Sequence, residues 1–138
     1  MPFVLDASVA LVWCFEDEQS LYADAVREVL DRDDAWVPSI WALEVSSGLR
    51  NGERRRRITE AQVLRRTQQL LAMRILEVAV PADLAFGRLI DLSRRFDLTI
   101  YDAAYLDLAM SQTLALASLD RDLLAAMQAV GVPFFDPR

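Results

Sequence analysis

Four carboxylates are the residues of this 138-residue chain whose types and spacing suggest chemistry. Asp6 comes directly after an apolar run at residues 3–5, and Asp120 follows another at residues 115–118 with one leucine between. Because parallel strands end at the same edge of a sheet, we expect both side chains beside one cleft. Carboxylates gathered there repel one another and raise one another's pKa values unless a divalent cation neutralises them.

A simpler interpretation is open for each acid taken alone. Asp6 and Asp120 both precede helical segments and suit the N-cap position. Asp102 fits the third position of a capping box that begins at Thr99. Glu44 fits least well, because the apolar helix around it carries no other charge. A lone acid in such a helix needs solvent, a partner or a metal ion.

Taken together, the acids favour hydrolysis assisted by Mg²⁺ or Mn²⁺. Oxygen ligands without nitrogen or sulfur select these ions over zinc or copper. One ion, or a pair about 3.5–4 Å apart, activates water, orients it towards a phosphodiester and neutralises the leaving oxygen.

The composition leaves few other routes to catalysis. The chain has no histidine, one cysteine, and only arginine among its 15 basic residues. These absences exclude a Ser-His-Asp triad, a His-dependent ribonuclease mechanism and a zinc–thiolate cluster. Receiver domains and haloacid-dehalogenase-like phosphatases also have acidic Mg²⁺ pockets, but both rely on a lysine near the phosphate.

Short apolar runs alternate with amphipathic segments along the chain. We predict five short buried strands, at residues 3–6, 35–38, 75–80, 115–118 and 132–135. Helical periodicity marks three segments, residues 20–31, 60–73 and 82–95. Repetition of strand and helix indicates parallel pairing with right-handed crossovers. The predicted fold class is therefore α/β, a single three-layer α/β/α domain over residues 1–138 with a central, mostly parallel sheet.

Four stretches of the chain read VLDAS, PSIWALEV, LTIYDAAYL and LASLDRDL, at residues 4–8, 38–45, 98–106 and 116–123. In order and spacing they resemble the PIN-domain ribonucleases, specifically the VapC toxins of type II toxin–antitoxin systems, over essentially the whole chain. The resemblance implies a PIN-like fold and a metal-dependent endoribonuclease that serves as the toxin of such a pair. The alternative is a catalytically silent PIN-like module that binds RNA or an antitoxin.

The resemblance also assigns roles to residues. In the family, the acidic positions are catalytic and bind one or two Mg²⁺ or Mn²⁺ ions. The resemblance places four acids at these positions: Asp6, Glu44, Asp102 and Asp120. Ser8 falls on a hydroxyl position beside the first acid, and Ser118 stands where the family usually has threonine. Ser46 and Ser47 stand where many members carry an asparagine, so that polar contact is not expected. Asp122 either binds a second metal ion or, as we favour, faces solvent.

A run of four consecutive arginines stands apart in a chain of formal net charge −6: Arg54, Arg55, Arg56 and Arg57. Net acidity argues against nucleic-acid binding by bulk positive charge. A local basic surface would still hold RNA phosphates beside the cut. The run therefore contacts RNA, contacts an antitoxin, or is a solvated loop.

The resemblance implies three partners, namely a cognate antitoxin, an RNA substrate and a second copy of the chain. The apolar cluster Trp13, Cys14 and Phe15 belongs either to the core or to such a protein interface. The N-terminus lacks the basic and apolar regions of a secretory signal, and no stretch approaches the ~18 apolar residues of a membrane span. We therefore expect a cytoplasmic protein with no membrane partner.

Overall fold

A parallel sheet of four short strands lies at the centre of the computed structural model, which describes all 138 residues. The strands are β1 Phe3–Leu5, β2 Ala35–Pro38, β3 Ile75–Val78 and β4 Leu116–Ala117. Their order is β3-β2-β1-β4, and every pairing is parallel, as predicted. In the central strand, Val4 pairs with Trp36 of β2 on one side and with Leu116 of β4 on the other.

The prediction of a fifth strand at residues 132–135 is wrong. This segment forms only an isolated parallel bridge between Leu116 and Phe134. Two hydrogen bonds hold it, from the Leu116 amide to the Pro133 carbonyl and from the Phe135 amide to the Leu116 carbonyl, both 3.0 Å. Pro133 has no amide hydrogen, and β4 is itself only two residues long, so no longer ladder forms at this edge.

Eight helices surround the sheet: α1 Ala7–Cys14, α2 Leu21–Val29, α3 Trp41–Arg54, α4 Glu60–Leu71, α5 Ala82–Leu84, α6 Ile90–Phe96, α7 Ile100–Gln112 and α8 Arg121–Val130. A π-helical segment, Ala85–Leu89, joins α5 to α6. The predicted helices are present, with ends that differ by one or two residues. None of the helices is both long and apolar enough to cross a membrane.

Both faces of the sheet are covered. All three residues of β1 are fully buried, although successive side chains of a strand point to opposite faces. Among the helices, α1 packs against α2 and α3. Helix α7 packs against three strands of the sheet, β1, β2 and β4. The α/β class is therefore confirmed, and a single hydrophobic core of 36 buried residues joins the helices to the sheet.

The apolar cluster at the end of α1 belongs to this core. Trp13, Cys14 and Phe15 are all buried, and the Trp13 indole donates a hydrogen bond to the Ala23 carbonyl at 2.7 Å. Phe15 also lies against the backbone of α3, since a Cβ atom added to Gly52 would come within 2.3 Å of its ring. The cluster fixes α1 against its neighbours and is not available as a partner surface.

Candidate active site

The end of β1 places Asp6 in a buried position, with 4% of the residue exposed. Its Oδ2 accepts hydrogen bonds from the hydroxyls of Ser8 at 2.6 Å and Ser118 at 2.8 Å. The side chain does not cap α1, so the capping interpretation fails for this acid. Burial raises the pKa of Asp6, the two serines oppose that rise, and the nearby charge of Asp120 adds to it.

The two serines also join the end of β1 to the loop after β4. Ser8 Oγ accepts a hydrogen bond from the Leu119 amide, and Ser118 Oγ accepts one from the Asp120 amide, both at 3.0 Å. Each hydroxyl oxygen is thus used as an acceptor by the backbone while its hydrogen is given to Asp6. This arrangement suits Asp6 as an ionised carboxylate, which only accepts hydrogen bonds.

Asp120 is both a helix cap and a neighbour of the other acids. Its Oδ1 accepts a hydrogen bond from the Leu123 amide at 3.0 Å, so the capping interpretation is correct for α8. The same side chain raises the pKa values of Asp6 and Asp102 by its charge. Capping occupies one carboxylate oxygen, and Oδ2 has no hydrogen-bond partner.

Glu44, on α3, is held by a residue that the sequence analysis missed. The Tyr105 hydroxyl donates a hydrogen bond to Glu44 Oε1 at 2.6 Å, and Tyr105 is fully buried. Burial raises the pKa of Glu44, the Tyr105 hydrogen bond opposes the rise, and the charge of Asp6 adds to it. Burial and the Glu44 carboxylate together raise the pKa of Tyr105 well above its usual range, so the hydroxyl keeps its proton. The available sequence signal was the spacing, since Tyr105 follows Asp102 by three residues on one helix.

Asp102 lies in the first turn of α7. Thr99 Oγ1 accepts a hydrogen bond from the Asp102 amide at 3.1 Å, which is one half of the predicted capping box. The other half, in which the Thr99 amide would donate to the Asp102 carboxylate, is not formed. Burial first, and then the charges of three neighbouring acids, raise the pKa of Asp102 to about 6; these neighbours are Asp120, Asp6 and Glu44. The structure therefore brings the other three predicted acids within electrostatic reach of Asp102.

The donor set fits a hard divalent ion. Only carboxylates and hydroxyls line the cluster, which suits Mg²⁺ or Mn²⁺. No three of the side chains lie close enough together to hold an ion as they stand, so binding requires side-chain rotation. Glu44 and Asp120 each form a hydrogen bond through only one carboxylate oxygen. Burial raises the pKa of Asp102 most, and the repulsion from its acidic neighbours, which adds to that rise, is what a cation would relieve.

Three other predicted polar residues lie outside the cluster. Ser46, Ser47 and Asp122 are exposed, and none contributes to the raised pKa of an acid in the site. Asp122 belongs to the first turn of α8, one residue beyond the start of that helix. Its position fits the solvent-facing interpretation that the sequence analysis favours.

The arginine run divides into two parts. Arg57 forms two hydrogen bonds with Asp17, both 3.0 Å, and a third with Glu18 at 3.2 Å. Its guanidinium also lies 4.3 Å from the centre of the Phe15 ring. The other members are exposed and form no ion pair: Arg54, Arg55 and Arg56. Arg57 therefore holds the loop after α1 against the end of α3, and only the first three arginines are free for a partner.

Comparison with known proteins supports the same fold. The model of the PIN domain family matches residues 3–128. The chain is similar to PAE2754 from Pyrobaculum aerophilum, with 21% identity and a TM-score of 0.70 over 91% of this chain and 84% of that one. A search of curated proteins found no match.

Two toxin structures are similar over nearly their whole length. VapBC2 from Rickettsia felis, bound to a DNA fragment from its promoter, is 13% identical with a TM-score of 0.66, covering 99% of this chain and 98% of that one. VapC20 from Mycobacterium tuberculosis, a toxin that cleaves the sarcin–ricin loop, is 14% identical with a TM-score of 0.65, covering 90% and 94%. These TM-scores show a shared fold. Together with the family match over most of its length, they show that the chain belongs to the PIN domain family.

Proposed function

We propose that this protein is a Mg²⁺- or Mn²⁺-dependent endoribonuclease and the toxin of a toxin–antitoxin pair. The observation that carries the proposal is the cluster of four carboxylates at the carboxyl edge of the sheet, in which burial and the charges of three neighbouring acids raise the pKa of Asp102. The chain offers no histidine or lysine for another mechanism. Membership of the PIN family supports nuclease activity, and the likeness to VapC20 supports RNA as the substrate.

In this proposal the four acids hold the metal ion. A bound ion supplies an activated water and positive charge opposite the leaving oxygen. Ser8 and Ser118 fix the orientation of Asp6 by donating to one of its oxygens, so that Oδ1 stays free. Burial of Asp6 and Ser118 keeps bulk water from the base of the site.

We propose the substrate and partners from exposed charge on the chain and from the comparisons. We propose that Arg54, Arg55 and Arg56 grip RNA phosphates or an antitoxin, because they are exposed and carry no partner. The solved toxin–antitoxin complex from Klebsiella pneumoniae, 17% identical with a TM-score of 0.64 over 99% of this chain and 98% of that one, supports an antitoxin as partner. We also propose that residues 1–138 form a single domain and that the protein forms a homodimer.

One observation favours the alternative, a catalytically silent module that binds RNA or an antitoxin. The four acids do not form a ready-made set of three metal ligands. The two functions differ in turnover, because a binding module retains RNA without cutting it.

Incubation of purified protein with RNA tests the proposal. We expect cleavage with Mg²⁺ or Mn²⁺, its loss in EDTA and its recovery when excess metal is restored. Asp102→Asn should be nearly inactive, since removing one ligand from a set that acts together costs several powers of ten in rate. Asp122→Asn, the same change at an exposed acid, is the matched control and should cleave normally. Cleavage at full rate in EDTA would contradict the metal mechanism, and a folded, metal-loaded protein that cuts no RNA would favour the binding module.

A further inference from the structure

Tyr105 is a buried tyrosine whose hydroxyl reaches the candidate site. The hydroxyl donates a hydrogen bond to Glu44 Oε1 at 2.6 Å, and the Ala7 backbone also acts on it, lowering the pKa of Tyr105. Such a length is typical of a hydroxyl that donates to an ionised carboxylate. Because the ring is fully enclosed, the hydroxyl has little freedom to move. One oxygen of Glu44 is thereby held in a fixed place.

The contact joins two helices that each carry an acid of the site. Glu44 lies on α3, whereas Asp102 and Tyr105 both lie on α7. Residues three apart share one face of a helix, so α7 presents its own carboxylate and the partner of the other carboxylate to the same side. Rotation of Glu44 away from the cluster would break this hydrogen bond and leave the donor of a buried hydroxyl without its acceptor, which is unfavourable.

We infer that Tyr105 is a positioning residue that holds Glu44 by Oε1 and leaves Oε2 to bind the divalent ion. This inference rests on the proposed function, since it requires Glu44 to be a metal ligand. Tyr105 itself touches neither metal nor RNA in this arrangement. Residues that orient a metal ligand typically change metal affinity or activity by about 10- to 100-fold when they are mutated.

Removal of the single hydroxyl tests the inference. Tyr105→Phe keeps the ring and should raise the dissociation constant for Mn²⁺, measured by calorimetry, by about 10- to 100-fold. At limiting Mn²⁺ the rate of RNA cleavage should fall, and saturating Mn²⁺ should restore it while the KM for RNA stays unchanged. A purely structural role of the hydroxyl would leave the dissociation constant of the folded protein for Mn²⁺ unchanged.

Tyr22→Phe is the matched control. The Tyr22 hydroxyl also makes one hydrogen bond, to the Phe135 carbonyl at 2.9 Å, and it is away from the four acids. Its loss should leave Mn²⁺ affinity within about twofold of wild type, because the same group is deleted at a position away from the four acids. In a Glu44→Gln background, Tyr105→Phe should have no further effect on Mn²⁺ affinity, because the group it positions is already neutral.

A second measurement needs no variant at Tyr105. Incorporation of 3-fluorotyrosine labels the three tyrosines of the chain; Tyr22→Phe and Tyr101→Phe assign two of the ¹⁹F resonances, and the third belongs to Tyr105. Titration with Mg²⁺ should shift the Tyr105 resonance with the same dissociation constant as metal binding, whereas the Tyr22 resonance should stay in place. A Tyr105 resonance that does not respond to bound Mg²⁺ would overturn the inference.

The outcomes separate the two proposals. Equal Mn²⁺ affinity of wild type and Tyr105→Phe would overturn the role of Tyr105 while the metal-dependent nuclease stands. Wild-type protein that binds no Mn²⁺ would overturn the proposed function and the role of Tyr105 with it. Weakened Mn²⁺ binding in Tyr105→Phe, together with normal binding in Tyr22→Phe, would support both.

Discussion

Ser118 and Asp6 are joined by a hydrogen bond of 2.8 Å although 112 residues separate them in the sequence. The bond links the residue after β4 to the residue after β1, and Ser118 is fully buried. Its oxygen also accepts a hydrogen bond from the Asp120 amide. One hydroxyl therefore contacts the side chain of one acid of the site and the backbone of another. The fold of this edge and the orientation of the carboxylates therefore depend on the same small side chain.

Ser118→Ala should lower the free energy of unfolding by about 1–3 kcal/mol, because it leaves a buried carboxylate and a backbone amide each short of one partner. Urea denaturation at neutral pH measures the loss. Ser111→Ala is the control, since the Ser111 hydroxyl lies on the exposed side of α7 and donates only to its own helix, to the Leu108 carbonyl at 3.3 Å. Equal stability of the two variants would contradict a structural role for the Ser118 bonds.

The raised pKa of Asp102 predicts a pH dependence of stability in the metal-free protein. Its pKa is about 6 in the folded state and about 3.9 in an unfolded chain. Below about pH 4 the carboxyl is protonated in both states and its charge costs nothing. Between about pH 4 and pH 6 the carboxyl loses its proton in the unfolded state but keeps it in the folded state, and this difference favours unfolding. Above about pH 6 the carboxyl is ionised in both states, and the full cost of its charge in the folded state is present. Asp102 therefore destabilises the fold as the pH rises.

Asp102→Asn isolates this effect. In EDTA the variant should gain stability relative to wild type as the pH is raised from about 4 to about 7, by about 1–2 kcal/mol after allowance for solvent screening of a half-buried group. Urea midpoints across this pH range measure the difference. Asp122→Asn, at an exposed acid outside the cluster, is the control. A difference for Asp102→Asn that does not change with pH would contradict the clustering of charge around it.

Divalent metal should relieve this repulsion and stabilise the fold. At about 100 times its dissociation constant, Mn²⁺ should add about 2.7 kcal/mol to the free energy of unfolding. Asp120→Asn should lose most of that gain while its metal-free stability stays close to wild type, because asparagine caps α8 nearly as well as aspartate. Asp120→Ala should lose the gain and also about 0.5–2 kcal/mol of metal-free stability through loss of the cap. Thermal melts with EDTA and with Mn²⁺ measure both, and a wild type that gains nothing from Mn²⁺ would assign these acids a structural role only.

The positions of the four acids could be predicted because each is tied to a short local pattern. Asp6 directly follows an apolar strand and Asp120 comes shortly after another, and a parallel sheet places such ends side by side. Tyr105 escaped prediction because a tyrosine in an apolar helix is typical of the core, and its partner Glu44 is 61 residues away. The pairing of Arg57 with Asp17, 40 residues apart, has no local signal either.

Backbone chemistry explains the remaining differences. The apolar run at residues 132–135 has the composition of a strand, but pairing depends on which amides face a neighbour, and Pro133 has none to offer. The helix predicted at 82–95 contains a π-helical segment. The sequence does not indicate it, because a helical period does not show where one extra residue is inserted into a turn. Periodicity identifies an element, whereas the hydrogen bonds of individual residues decide its length and form.

The exposed arginines before Arg57 are expected to contribute electrostatic grip without taking part in catalysis. Arg54→Gln with Arg55→Gln should weaken RNA binding and lower the slope of log affinity against log salt by about 0.7 for each lost contact with a single strand. The cleavage rate at saturating RNA should stay near wild type, because neither side chain contacts the four acids. Arg94→Gln with Arg95→Gln, on α6, changes the net charge equally and separates a local contact from a general charge effect. Binding assays with RNA and with the antitoxin at several salt concentrations identify the partner, and unchanged slopes for both would leave Arg54 and Arg55 as a solvated loop.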